Sequence, residues 1–473
     1  MRKTTMLLYL LTSMWLFPGC KRGTHTAHNP PHLTMNMDSL ILPAETRFFT
    51  VNRINGRLYI FAITPIGTEI RDINNKIVAG LYGINLFLLC ISHMTTMSPP
   101  PTEKNNKFLV ALLSNGKLGY VFYLLRFKNN GEIRIKKLDF DSTDNEFLPS
   151  NKLILKIIIT DTLATFVVVN KVTKSKKLYF VLASEEKLKS YTADFAGNLY
   201  GVYTIDPQTI LVVARANLNG FLAKKSGFSD ITSGIYIYRF VGDSVYLVNR
   251  YTAPFMDYSL CRVILKDSII YTYTSTYPPY APYSASRFSI LSYPNLNEIK
   301  HVDLDFAGKM GNNIMHSRKG DVIPVMDISS NIIYFISLDS LKIIDRKSIQ
   351  DTLTPALQFG SWKTSPFKTS IIAMDVDKDG YDELVLVQGK VTYSLDPRYG
   401  FLEDNSGNRL GQTTLYVIDD DLQHELGKKL FTTELSVAYY TKNKVFLKRT
   451  GVYGINQNVL IFLKFSNRGK SGG

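Results

Sequence analysis

This chain contains a long succession of short apolar runs, each closed by polar turn residues, from about residue 47 onward. Four consecutive runs illustrate it, at 198–203, 209–216, 234–241 and 245–251. They are rich in Tyr, Val and Ile, which favour β-strands over helices. No segment keeps a helical period for more than about two turns. The pattern therefore predicts an all-β protein with little helix.

A recurring motif indicates how the strands are grouped. Asp-Phe follows a predicted strand at Asp139, and Asp-Phe-Ala-Gly follows predicted strands at Asp194 and Asp305. The separations are 55 residues and 111 residues, the second being about twice the first. A four-strand unit repeated at such a period is typical of a β-propeller. At about 55 to 65 residues per unit, the chain holds seven four-stranded blades, with six or eight also open. A pair of β-sandwiches would explain the short strands but not the period.

The two ends of the chain are expected to close this ring together. The propeller is assigned to 40–467, and a polar tail follows at 468–473. Its last three predicted strands are 435–440, 444–449 and 458–465. That blade lacks a fourth strand, which the segment 40–42 or the segment 47–51 would supply. Closure by both termini removes free sheet edges that would otherwise invite aggregation.

The N-terminal residues 1–20 have the pattern of a signal peptide. A charged start precedes the apolar run 6–17, which is too short to span a bilayer. The run ends at Gly-Cys, which resembles the lipobox of bacterial lipoproteins, although Phe17 and Pro18 differ from its usual residues. The resemblance implies that Cys20 becomes the lipid-modified N-terminus. An ordinary signal peptide cut nearby is the alternative.

Residues 21–39 contain Gly, Thr, Asn and Pro and are predicted to form a flexible tether. A lipid on Cys20 would anchor the protein to a membrane without crossing it. We therefore expect an exported cell-envelope lipoprotein, on the periplasmic or surface face of a membrane, and a monomer. The formal net charge is +15, but Lys and Arg are dispersed and no nucleic-acid-binding signature accompanies them. Nucleic acid is therefore not an expected partner.

One acidic motif has the spacing of a metal-binding loop. Residues 371–387 read IIAMDVDKDGYDELVLV, with Asp375, Asp377 and Asp379 at alternate positions before a glycine. Alternate carboxylates in a tight loop can converge, and hard oxygen ligands select Ca²⁺. An EF-hand loop would have helical flanks, whereas these flanks are predicted strands. An ordinary Asp-Gly-rich hairpin turn is the alternative.

The pattern D-x-D-x-D-G-x-x-[DE] between two strands resembles the FG-GAP/VCBS repeat of integrin-α-like β-propellers. The resemblance covers about 13 residues and one blade. It implies that Ca²⁺ is bound by the side chains of Asp375, Asp377, Asp379 and Glu383 and by the backbone carbonyl of Tyr381. A second acidic segment, 419–421, is interpreted only as a hairpin tip in the same blade.

The segment 277–283 is a candidate ligand-binding loop. Its three prolines exclude a central strand, so it is predicted to be a stiff loop that presents Tyr277, Tyr280 and Tyr283. Exposed tyrosines can anchor a protein interface or stack on sugars. Packing of these rings on their own blade is the alternative.

The sequence contains no recognised catalytic motif, and no catalytic residue is assigned. We therefore expect a membrane-anchored extracytoplasmic calcium-binding module, for adhesion or as an envelope scaffold, whose partner is a protein or glycan of the cell envelope. The alternative is a propeller hydrolase or lyase that acts on envelope polysaccharide through acidic residues at the central channel.

Overall fold

The computed structural model of this protein contains β-strands and, among the residues it describes, no helix. No segment of that part of the chain forms a helix that could cross a membrane. The structure describes residues 33–43, 45–46, 48–82, 86–91, 107–114, 119–139, 152–160, 162–170, 172–173, 175–184, 187–195, 197–215, 234–252, 259–276, 285–327, 330–349, 362–394, 411–433, 435–441, 443–449 and 459–467.

The described strands form eight antiparallel sheets, which we number as blades 1 to 8. Blade 1 consists of β2 (Phe48–Ile54), β3 (Arg57–Thr64), β4 (Gly67–Asp72) and β5 (Ile77–Tyr82). Blade 2 consists of β6 (Leu86–Ile91), β7 (Lys107–Ser114), β8 (Gly119–Phe127) and β9 (Ile133–Leu138). Blade 3 consists of β10 (Lys152–Thr160), β11 (Leu163–Asn170), β12 (Lys176–Ala183) and β13 (Leu188–Asp194). Blade 4 consists of β14 (Asn198–Asp206), β15 (Thr209–Arg215), β16 (Gly234–Val241) and β17 (Ser244–Thr252).

The second half follows the same order. Blade 5 consists of β18 (Ser259–Lys266), β19 (Ile269–Thr276), β20 (Ser286–Ser292) and β21 (Glu298–Leu304). Blade 6 has five strands, because β22 (Gly308–Met310) and β23 (Met315–Ser317) both pair with β24 (Gly320–Asp327), which continues to β25 (Ile332–Ser337) and β26 (Ile343–Ser348). Blade 7 consists of β27 (Trp362–Met374), β28 (Glu383–Ser394), β29 (Gly411–Ile418) and β30 (Glu425–Phe431). Blade 8 consists of β31 (Ser436–Thr441), β32 (Lys444–Arg449), β33 (Val459–Asn467) and β1 (Leu33–Ile41).

Successive blades contact one another around a closed ring, in which β31 of blade 8 lies against β2 of blade 1. The core lies between neighbouring blades. In one such layer, Phe122 of blade 2 packs against Phe166 of blade 3, with ring centroids 6.2 Å apart. Phe446 of blade 8 packs with Phe49 of blade 1 in the layer that closes the ring. The prediction of an all-β propeller is therefore confirmed.

The blade count is eight, the largest of the three values that the sequence left open. The sequence-based value of seven follows from allowing up to about 65 residues per blade, whereas the observed blade starts lie about 55 residues apart on average, 388 residues over seven intervals from Phe48 to Ser436. The individual blades are unequal. Successive blades begin 38 residues apart at Phe48 and Leu86, but 74 residues apart at Trp362 and Ser436. The recurring Asp-Phe motif lies at connections between blades, since Phe195 precedes β14 and Phe306 precedes β22. Both phenylalanines are buried.

The N-terminal strand closes the ring, but it begins earlier than the sequence predicts. Strand β1 is antiparallel to β33, with Leu33 opposite Asn467 and Ile41 opposite Val459. Residues 33–39, which the sequence assigned to the tether, therefore belong to the outer strand of blade 8. The physical reason is that backbone pairing along the free edge of β33 does not require apolar side chains, and Asn36 and Asp38 remain exposed.

Candidate metal centre

The acidic loop lies at the hairpin tip between β27 and β28 in blade 7. Lys378 and Gly380 adopt left-handed backbone conformations, with φ of 69° and 98°. The Asp377 Oδ1 atom accepts the N–H of Asp379 at 3.1 Å, and the Asp379 Oδ1 atom accepts the N–H of Tyr381 at 2.9 Å. These Asp-to-backbone hydrogen bonds fold the loop tightly enough to turn successive carboxylates toward one another.

Glu383 forms the floor of this loop. It is the first residue of β28 and its side chain is 0% exposed. Its Oε2 atom accepts the N–H of Val376 at 2.6 Å, whereas its Oε1 atom is buried without a hydrogen-bond partner. The Asp375 Oδ1 atom is also buried without a partner. Asp375, Asp377 and Glu383 each contribute a carboxylate oxygen to one group, and these oxygens lie within 4.8 Å of one another.

A second hairpin tip, between β29 and β30, approaches the same place. Alternate turns of an antiparallel sheet lie at the same end of its strands, so the 419–421 turn and the 375–382 loop share one end of blade 7. Asp420 is 1% exposed, and its Oδ1 atom is buried without a hydrogen-bond partner. Asp379, Glu383 and Asp420 form a second group of oxygens within 4.8 Å of one another. The sequence located this turn correctly, but it did not identify Asp420 as part of the centre.

One arginine from the adjacent blade joins the two tips. Arg318 lies in the turn between β23 and β24 of blade 6. Its Nη2 donates to Asp379 Oδ2 and its Nε donates to Asp420 Oδ2, both at 2.9 Å. The guanidinium carbon also lies 5.6 Å from the centre of the Tyr381 ring. The arginine therefore offsets part of the negative charge and connects blades 6 and 7.

Tyr381 and Asp382 extend this connection. The Tyr381 ring stacks on the His316 ring at 5.4 Å and 15°. The His316 N–H donates to Asp382 Oδ2 at 2.9 Å, and the Asp382 N–H donates to the His316 carbonyl at 2.7 Å. The His316 ring also pairs with Asp321 at 2.8 Å. The loop is thus held against blade 6 by backbone and side-chain contacts.

Several carboxylates of the centre are buried close to one another, which raises their pKa values. Burial, aided by the nearby Asp377 and Asp379, raises the pKa of Glu383 to about 9. Burial also raises the pKa of Asp420 to about 6, despite its hydrogen bond from Arg318. The pKa of Asp419 is raised chiefly by burial as well. A cation among these oxygens would reverse this pattern, because it favours the ionised carboxylates.

The residues present fit a hard divalent cation. The two groups that share Glu383 offer only carboxylate oxygens, and Asp375, Glu383 and Asp420 each have one oxygen that is buried without a hydrogen-bond donor. Such oxygens are the ligands that Ca²⁺ takes in proteins. A third group of converging side chains, Asp419, Asp421 and His424, differs because it includes a histidine and the Asp421 carboxylate already has hydrogen-bond partners. The Asp421 carboxylate accepts the N–H groups of Gln423 and His424 and pairs with the His424 ring, so it stabilises its own turn.

The other candidate residues from the sequence fall outside the described residues. These are Cys20 and the three tyrosines of the candidate ligand-binding loop, Tyr277, Tyr280 and Tyr283. Their predicted roles stay predictions.

Comparison with known proteins finds only low-identity similarity to solved structures. No protein-family model matches this chain, and no curated protein matches it. Among solved structures, the chain is similar to the dihydro-heme d1 dehydrogenase NirN in complex with DHE, with 13% identity, a TM-score of 0.42, and coverage of 86% of this chain and 74% of that one. It is also similar to Hsv2 of Kluyveromyces lactis, with 11% identity, a TM-score of 0.34, and coverage of 75% and 96%. Sqt1 of Saccharomyces cerevisiae shares 10% identity at a TM-score of 0.38, with coverage of 80% and 98%. No activity, ligand or partner is transferred from these proteins.

Proposed function

We propose that this protein is a calcium-binding β-propeller that serves as a binding or scaffold module at a cell-envelope membrane. One observation carries the calcium part of the proposal. Three carboxylate oxygens, Asp375 Oδ1, Glu383 Oε1 and Asp420 Oδ1, are each buried without a hydrogen-bond donor, and Glu383 converges with Asp375 in one group and with Asp420 in the other. A buried carboxylate oxygen without a hydrogen-bond donor is costly, so a proton or a cation would satisfy these three oxygens.

Calcium would have a structural role here. Ca²⁺ takes six to eight oxygen ligands at about 2.3–2.6 Å and tolerates irregular geometry. Asp375, Asp377, Asp379 and Glu383 would supply side-chain oxygens, and Tyr381 its backbone carbonyl. Since these residues belong to one hairpin tip held against blade 6, the bound ion would stiffen that end of the propeller rather than perform chemistry.

The buried position of Glu383 favours a structural site over the alternative of an enzyme. Its side chain is completely buried and one oxygen is engaged by Val376, so a polysaccharide cannot contact it. A catalytic acid must reach the bond that it cleaves. This cluster therefore gives no support to a hydrolase or lyase.

The proposed membrane attachment is through a lipid on Cys20. Residues 21–32 would connect that lipid to β1, and twelve residues span at most about 40 Å when fully extended. The propeller would therefore stay close to the membrane surface. The loop with Tyr277, Tyr280 and Tyr283 is the proposed contact for a protein or glycan partner of the envelope.

The calcium proposal is tested by thermal unfolding of the full chain in detergent, with calcium and with chelator. Calcium at 100 times its dissociation constant would stabilise the fold by about 2.7 kcal/mol. Asp377→Asn should abolish this gain. Asp206→Asn is the matched control, because Asp206 also accepts a backbone N–H in an exposed hairpin turn, that of Gln208 at 2.7 Å. An unchanged melting temperature of the wild-type protein with calcium would refute the proposal.

A further inference from the structure

We infer that the centre has a second divalent-cation position beside the first, formed by Asp379, Glu383 and Asp420. This inference rests on the proposed calcium site and extends it to the β29–β30 turn. Glu383 belongs to both groups of converging oxygens and would bridge the two ions. The ligand class is a hard divalent cation, with Ca²⁺ as the first choice.

The geometry of the three residues meets the requirement for a shared ion. Oxygens bound to one Ca²⁺ at about 2.3–2.6 Å lie no more than about 5 Å apart. One oxygen from each of Asp379, Glu383 and Asp420 satisfies this limit, since all three lie within 4.8 Å of one another.

An independent observation indicates a ligand at this position. The Asp420 side chain is 1% exposed and the Glu383 side chain is 0% exposed. Each has one buried oxygen with no hydrogen-bond partner, Oδ1 of Asp420 and Oε1 of Glu383. The other Asp420 oxygen accepts from Arg318, and the other Glu383 oxygen accepts from Val376. The remaining oxygens are therefore the ones available to an ion.

Two positions explain the arrangement better than one. The first group of converging oxygens contains Asp375 and Asp377, the second contains Asp379 and Asp420, and Glu383 belongs to both. Asp379, also a proposed ligand of the first ion, would therefore be shared together with Glu383. Paired metal ions in proteins lie about 3.5–4 Å apart, and Glu383 belongs to both groups and would contact both ions.

The charge balance leads to the same conclusion. The two groups together hold five carboxylates, whereas Arg318 contributes a single positive charge. One divalent ion plus Arg318 leaves two of the five negative charges uncompensated, and a second divalent ion neutralises them. Uncompensated charge is most costly at Glu383 and Asp420, the two buried carboxylates of the set.

The test is to count bound calcium ions on the full chain in detergent by isothermal titration calorimetry and native mass spectrometry. We expect two ions per chain in the wild-type protein, and a second binding event at least tenfold weaker in Asp420→Asn. Asp421→Asn is the control, because it removes the same charge from the same turn but lies outside both groups. It should retain both ions with unchanged affinity.

The outcomes separate the two proposals. One ion in the wild-type protein overturns the second position and leaves the first intact, whereas no ion refutes the calcium site itself. A weakening of less than tenfold in Asp420→Asn, or an equal weakening in Asp421→Asn, also overturns the second position. The mass-spectrometric count on the unmodified protein does not depend on whether a variant folds.

Discussion

The Nε atom of Arg318 donates to Oδ2 of Asp420 at 2.9 Å, although the two residues are 102 positions apart and lie in different blades. The same guanidinium donates to Asp379, so a single side chain contacts both hairpin tips of blade 7. Arg318 is more than half exposed, whereas Asp420 is buried. In this ion pair the buried Asp420 carboxylate is therefore neutralised by an arginine at the surface. The contribution of the pair to stability depends on which other cations are bound nearby.

Replacing Arg318 with Gln should lower the stability of the protein more in chelator than in calcium. Without a metal, Arg318 is the cation that contacts Asp379 and Asp420. Its loss leaves the buried Asp420 carboxylate and the Asp379 carboxylate without that positive charge. We expect a loss of about 1 kcal/mol in chelator, because solvent screens part of the interaction, and a smaller loss with saturating calcium. Denaturant unfolding under both conditions measures the difference. Equal losses in both conditions would show that Arg318 and the metal act independently.

Glu383→Gln should change how stability depends on pH in chelator. The folded-state pKa of Glu383 is raised to about 9 by burial, above the ordinary glutamate value of 4.5. Between these values the folded state holds a proton that the unfolded state has lost, so this group makes stability fall as pH rises. Gln carries no such proton. In chelator at pH 8 the variant should be more stable than wild type, by about 2 kcal/mol, since each pKa unit corresponds to about 1.4 kcal/mol and burial effects are only partly realised.

The stability of Glu383→Gln should not change with calcium. Calcium would stabilise only the wild-type protein, which would then be the more stable of the two. Unfolding free energies at pH 5.5 and pH 8, with and without chelator, give the comparison. Near pH 5.5 in chelator the two proteins should differ little. A wild-type protein that is already the more stable of the two in chelator at pH 8 would contradict the assigned pKa.

Local sequence pattern was sufficient to predict strands that have apolar side chains. The predicted strand 234–241 is β16, Gly234–Val241, and the predicted strand 444–449 is β32. Local pattern failed where pairing is through the backbone alone. Strand β1 reads LTMNMDSLI, and its composition resembles a linker because its outer edge faces solvent.

The centre divides in the same way. Asp375, Asp377 and Glu383 are close in sequence, so their convergence follows from one hairpin, and spacing predicted it. Asp420 reaches the centre because β29 pairs with β28, with Leu384 opposite Ile418. Arg318 reaches it from another blade. The sequence around Asp420 and Arg318 does not show that these residues lie near the acidic loop. The three consecutive aspartates at 419–421 were the one feature that pointed to the β29–β30 turn.

A chain shortened to begin at residue 40 should be much less stable than one that begins at residue 33. The longer deletion removes 33–39 and exposes the edge of β33. It also removes Leu33 and Met35, which pack against the core between blades 7 and 8. We expect a drop of several degrees in melting temperature and concentration-dependent association through the free edge. Calorimetry and size-exclusion chromatography test this, with the chain from residue 33 as control. Equal melting temperatures would show that β1 does not close the ring.

Cys20→Ala should release the protein from membranes if Cys20 carries the lipid. A lipid on Cys20 is the proposed attachment of the protein to a membrane. Expression in a bacterial host, followed by membrane fractionation and labelling with a radioactive fatty acid, measures both attachment and acylation. We expect the wild-type protein to be labelled and sedimented with membranes, and the variant to be unlabelled and soluble. Cys90→Ala is the control, because Cys90 lies within β6 and should not affect attachment. A variant that remains labelled would place the lipid elsewhere, and an unlabelled wild-type protein would favour an ordinary signal peptide.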